Sequence, residues 1–159
     1  MLELKGLYKT FNPGTVNEKR AIDGLNLTLD NGDFVTIIGG NGAGKSTTLN
    51  LIAGVYPPDA GLIRLNGFNL TNLPEHKRAR FLGRVFQDPM MGTAATMGIE
   101  ENLALAYRRG KSRGLGHGIT NEERKLYREK LATLGLGLED RMTPQPRLLG
   151  GGALLEPAL

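Results

Sequence analysis

The chain has 159 residues, 40% of them apolar and 23% charged, with a formal net charge of +4, enough for one ordinary domain with a real core. The lack of cysteine excludes a disulfide framework and a thiolate metal site. No window approaches about 18 consecutive apolar residues, and Glu3 and Lys5 interrupt any signal-like start, so a cytosolic location is expected.

Residues 2–7 (LELKGL) alternate as a half-buried strand does, and the turn Asn12-Pro13-Gly14 follows. Residues 21–29 (AIDGLNLTL) alternate again, which predicts an early antiparallel pair. Residues 34–38 (FVTII) form a short β-branched run that reads as a buried parallel strand. The stretch GGNGAGKST at 39–47 then fits G-x-x-x-x-G-K-[ST]. Its glycines let backbone N–H groups turn inward around a bulky anion, and the following helix adds its unpaired donors and dipole. Lys45 would reach the β- and γ-phosphates, and the Ser46 hydroxyl would coordinate Mg²⁺. The helix is expected over 46–53, stopped by Gly54 with Pro57 and Pro58 just beyond.

Residues 61–65 and the Asn66-Gly67 turn predict a further hairpin strand. A short basic helix begins near Leu73-Pro74-Glu75, with Pro74 in its first turn, and residues 83–86 (GRVF) read as a short strand ending at Gln87. Residues 90–97 read as small and flexible. Two amphipathic helices follow. Gly98 caps the first weakly, with Ile99, Leu103 and Ala106 on one face. Thr120 and Glu123 form a capping box for the second, with Leu126, Tyr127, Leu131 and Leu134 on its apolar side. The basic clusters Lys77-Arg78-Arg80-Arg84 and Arg108-Arg109-Lys111-Arg113 have no interleaved aromatics for stacking bases. They read as solvated faces and loops, with proximity to an anionic membrane surface as a weaker alternative. His76 and His117 lie too far apart to make a metal case, and there are no internal repeats.

The loop G-N-G-A-G-K-S-T, then V-F-Q-D-P, then I-E-E-N-L together resemble the ATP-binding subunit of an ABC transporter, in particular the ATPase components of binding-protein-dependent importers. The resemblance covers residues 1–141 and implies an α/β P-loop core with an antiparallel β-subdomain and a partial helical subdomain. It implies ATP held by Gly39, Asn41, Gly42, Ala43, Gly44, Lys45, Ser46 and Thr47, with Phe11 (less well Tyr8) stacked on adenine. It gives Gln87 the Q-loop role, its amide carbonyl completing the Mg²⁺ shell and its NH₂ holding the attacking water. The implied partners are a transmembrane permease facing residues 88–101, a second nucleotide-binding subunit in a homodimer and, indirectly, an extracellular solute-binding protein. No nucleic-acid partner is expected. The implied location is the inner face of the cell membrane.

Where the family carries L-S-G-G-Q, this chain reads Leu149-Gly150-Gly151-Gly152-Ala153, without the serine and glutamine. No apolar strand ending in Asp-Glu follows, and Glu139-Asp140 reads as a helix-end loop. The expectation is therefore a truncated nucleotide-binding domain: core 1–89, helical part 90–141 and a divergent tail 142–159, ascribed to a frameshift or similar disruption. Such a chain is expected to bind ATP without turning it over, and to be poorly soluble or molten. The alternatives are a soluble ABC-type ATPase acting on nucleic acid or ribosomes, and a non-catalytic nucleotide-binding fragment.

Overall fold

The computed structural model describes residues 1–111 and 118–143. Arg113, His117, residues 149–153 and nearly all of the tail from 142 onward therefore lie outside the described residues. The chain divides into two compact units, Met1–Leu82 and Gly83–Leu159.

In the first unit, β1 (Leu2–Phe11) pairs antiparallel with β2 (Lys19–Leu29), from Leu2 opposite Leu29 to Phe11 opposite Lys19. On its other edge β1 pairs with β3 (Ala60–Leu65), and β3 turns back into β4 (Phe68–Asn69), giving the order β2-β1-β3-β4. Asn66 (φ 48°) and Gly67 (φ 82°) are both left-handed, as a two-residue hairpin with the right twist requires. Leu4, Leu7, Ile22 and Ile63 meet Leu51 of α1 (Lys45–Ala53) and Leu70 in one apolar core. Gly54 closes α1, its N–H donating to the carbonyls of Asn50 (3.0 Å) and Leu51 (3.3 Å).

Two predicted strands are corrected. Residues 34–38 have no regular structure, and Phe34 and Ile38 are 95% and 89% exposed. A strand exists only through partners on its edges, and among the described residues none hydrogen-bonds to this run. Residues 83–86 likewise form no strand; Arg84 instead stacks its guanidinium 4.5 Å over the Phe86 ring.

The solvated reading of the first basic cluster fails at Arg78, which closes the short α2 (Glu75–Arg78) and is 1% exposed. Its guanidinium donates to the carbonyls of Leu51 (2.6 Å), Ile52 (2.8 Å), Leu73 (2.7 Å) and Thr71 (3.0 Å). Burial lowers its pKa from the ordinary arginine value. A planar fork of donors suits the orphan carbonyls at the end of α1, and its charge suits the negative end of that helix. Pro74 stands at the N-cap of α2, one place earlier than expected.

The second unit has its own core of Ile99, Leu103, Ala104, Tyr127, Leu131, Leu138 and Met142, drawn from α3 (Ile99–Tyr107), α4 (Asn121–Ala132) and the residues after them. The capping box is present: Glu123 N–H donates to Thr120 Oγ1 (3.2 Å) and Thr120 N–H to Glu123 Oε2 (2.8 Å). Glu123 also takes a fork of bonds from Arg108, the closest at 2.6 Å, and the Arg108 bond, then the Thr120 N–H, hold its carboxyl below the usual range. Leu134 lies past the end of α4 and is 46% exposed, against expectation. Residues 90–97 are not loose. Asp88 caps a 3₁₀ turn over Pro89–Gly92. The Asn102 amide accepts from Ala94 N–H (2.7 Å) and donates to the carbonyls of Ala94, Met97 and Gly98.

Candidate nucleotide-binding site

The glycine-rich loop and α1 form as the sequence predicts, although the run before them does not. Gly42 (φ 83°) and Gly44 (φ 84°) are left-handed, and a Cβ on Gly44 would lie 2.7 Å from the Ala21 carbonyl oxygen and 2.9 Å from Ile22 Cδ1. Only glycine lets the loop sit this close to β2. Gly44 is also the N-cap of α1, with no side-chain cap and no acidic residue in the first turn. The N–H groups of Lys45, Ser46 and Thr47 are thus left for an outside acceptor, where the helix dipole favours an anion.

Lys45 Nζ donates to the carbonyls of Gly39 (2.7 Å) and Gly40 (2.8 Å), which holds the ammonium across the loop. Ala43 N–H donates to Gly40 O (3.3 Å), and Asn41 is exposed in the turn. Ser46 is exposed and Thr47 half-buried. Thr48, which sequence reasoning passed over, is buried and bonds its hydroxyl to the Gly44 carbonyl at 3.0 Å, anchoring the first turn.

The predicted aromatic, Phe11, ends β1 opposite β2. Phe11 pairs with Lys19, and Lys19 Nζ lies 3.2 Å from where a Gly42 Cβ would be. The half-buried Phe11 meets Tyr56 edge-on, centroids 5.2 Å apart at 81°. Lys9 Nζ lies 5.8 Å from the Phe11 centroid and 2.8 Å from Asp59 Oδ1. Asp59 Oδ2 accepts from Thr10 N–H at 2.6 Å. The Lys9 bond first, then the Thr10 N–H, lower the Asp59 pKa. The alternative aromatic, Tyr8, is 44% exposed with its hydroxyl over Gly24. Gln87 belongs to the second unit, exposed in a bend before Asp88. The parts that sequence reasoning missed (Lys19, Tyr56, Asp59, Arg78) act across long stretches of chain and leave no local pattern.

A family model described as ABC transporter matches residues 22–154. A tyrosine transport ATP-binding protein of Clostridioides difficile (strain R20291) is 39% identical over 153 residues, covering 96% of this chain and 60% of that protein. The spermidine/putrescine import ATP-binding protein PotA of Haemophilus influenzae (strain ATCC 51907) is 36% identical over 152 residues, covering 96% of this chain and 36% of that protein. Among solved structures, the chain is similar to a dimeric ATP-binding cassette in a post-hydrolysis state bound to ADP and Pi. That likeness has a TM-score of 0.77 at 30% identity, over 97% of this chain and 65% of the other. The chain spans less than two thirds of each of these three.

Proposed function

The chain belongs to the ABC transporter family, and from that premise we propose that residues 39–47 bind the phosphates of ATP together with Mg²⁺. One observation carries the reading. The Lys45 ammonium and the uncapped start of α1 converge on a loop that admits no side chain at Gly44. In this reading the N–H groups of Lys45, Ser46 and Thr47 take phosphate oxygens, and Lys45 exchanges its two carbonyls for the β- and γ-phosphates. Phe11 stacks on the adenine. The Ser46 hydroxyl is a hard oxygen ligand of the kind Mg²⁺ takes; the family resemblance alone gives the Gln87 amide a further Mg²⁺-ligand role and the orienting of the attacking water. When bound, Mg²⁺ would supply charge neutralisation at the phosphates for displacement.

The wider role follows from the relatives. We propose that the chain serves as the ATP-binding component of an importer, peripheral on the inner membrane face, beneath a transmembrane permease and beside a second nucleotide-binding subunit. A solute-binding protein acts on it only through the permease. Coupled ATP hydrolysis is assigned to that assembly. The 159 residues alone are expected to bind without turnover, because residues 149–153 lack the serine and glutamine of the signature loop.

Titration of the 159-residue chain with Mg–ATP tests the site. Losing charge-assisted bonds to phosphate costs about 1.5–3 kcal/mol, so Lys45→Ala should bind roughly 10–100-fold more weakly, and equal affinities would refute the assignment. Phosphate release by the same protein should stay at background; release abolished by Lys45→Ala would show that these residues suffice for turnover.

A further inference from the structure

The structure assigns Tyr56 and Asp59 a positioning role: together they fix the Phe11 ring as a platform for a nucleobase, an inference that rests on the stacking proposed above for Phe11. The two residues flank Pro57 and Pro58, whose rings set φ near −65° and stiffen the link. One end of this bracket is the Tyr56 ring, edge-on to Phe11 at 5.2 Å and 81°. The other end is the Asp59 carboxylate, which takes the Thr10 N–H at 2.6 Å and the Lys9 ammonium at 2.8 Å, while Asp59 N–H donates to Tyr8 O at 2.9 Å. The three residues before Phe11 are therefore all pinned to Asp59. Lys9, so held, lies 5.8 Å from the Phe11 centroid on the same platform.

An edge-to-face pair engages at most one face of the Phe11 ring, and a flat ligand stacked on the ring would lie beside the Lys9 ammonium, 5.8 Å from the centroid. Fixing the ring beforehand removes the rotamer cost that a stacking base would otherwise meet. The bracket should therefore act on the base and leave the phosphates alone. Its occupant is a nucleobase of any type, since stacking is sequence-tolerant.

The measurable quantity is the ratio of affinities for Mg–ATP and Mg–tripolyphosphate, which share phosphates and differ in the nucleoside. Phe11→Ala should collapse that ratio toward one. Tyr56→Leu and Asp59→Ala should each lower it about 3–10-fold, while tripolyphosphate affinity, a check on the loop and the fold, stays unchanged. Tyr56→Phe, which keeps the ring, should keep the ratio. An unchanged ratio in Tyr56→Leu with a collapsed one in Phe11→Ala overturns the bracket and spares the Phe11 assignment. Equal weakening of both ligands by Tyr56→Leu also overturns it, since the role would then be structural. A ratio near one in the unmodified chain, or one untouched by Phe11→Ala, removes the Phe11 assignment and the bracket with it.

Discussion

Residues 34–38 and residues 39–53 adjoin in the chain and meet opposite fates. The second stretch folds into a closed loop and a capped helix, and the first lies bare, with Phe34 and Ile38 almost fully exposed. The loop and α1 satisfy their backbone mostly from within: α1 supplies its own carbonyls, Gly54 its own cap, and Lys45 binds Gly39 and Gly40 close by. A strand has no such internal supply, because its hydrogen bonds run sideways to another segment. Within the second unit, residues 93–98 show what can replace a neighbour. They have no regular structure either, yet the Asn102 amide supplies their acceptor and donors.

The comparison can be broken at the helix end. Arg78 is the long-range hydrogen-bond support of α1 described above, and Arg78→Met would take a donor from four carbonyls, of which Leu51's keeps the Gly54 N–H. Leaving buried groups unsatisfied costs about 1–3 kcal/mol each, less where water reaches them, so a loss on the order of 3–5 kcal/mol is expected in chemical denaturation. A loss under about 1 kcal/mol would mean that α1 stands without it.

A smaller effect is expected from pH. The Asp59 carboxyl titrates lower in the folded chain than its unfolded value near 4. Its contribution is therefore complete above that value and is lost as pH falls below about 4 through the folded pKa. The Tyr56–Phe11 contact, followed by tyrosine fluorescence, should hold at pH 5 and loosen in stronger acid, and Asp59→Asn should remove that transition. A contact indifferent to acid in the unmodified chain would detach Asp59 from it.

The smallest effect on stability, and the sharpest on behaviour, concerns the bare run. Phe34→Lys with Ile38→Lys touches side chains already in solvent, so stability should stay within about 0.5 kcal/mol. Exposed apolar strand-formers invite edge-to-edge association, so light scattering and dye binding should fall. If the double variant unfolds instead, the run has a packed role and the contrast is wrong.

Much of this was legible where the determinants are local. The Asn66-Gly67 turn, Gly54, the Thr120–Glu123 box and the glycine-rich loop each announce themselves within a few residues. What misled were side chains whose chemistry suits two settings. Residues 34–38 have every trait of a buried strand, but periodicity cannot say whether a partner is at hand. Arg78 looks like any basic surface residue, and only the fold reveals that it faces the end of α1. Asn102 is one more polar helix residue until the preceding segment wraps onto it. In the site, the backbone form of the loop could be read, while Tyr56 and Asp59 carry no motif because their partners lie about fifty residues away on β1.

The Arg78 clasp also sets an order in time. Its guanidinium stands 27 residues after the Leu51 carbonyl it caps. A ribosome adding roughly 5–20 residues per second would deliver α1 about 1–5 s before the side chain that finishes it. For that interval the last turn of the helix behind the glycine-rich loop has the Gly54 N–H and water for its carbonyls but no guanidinium, and it would be maturing while the chain is still being made.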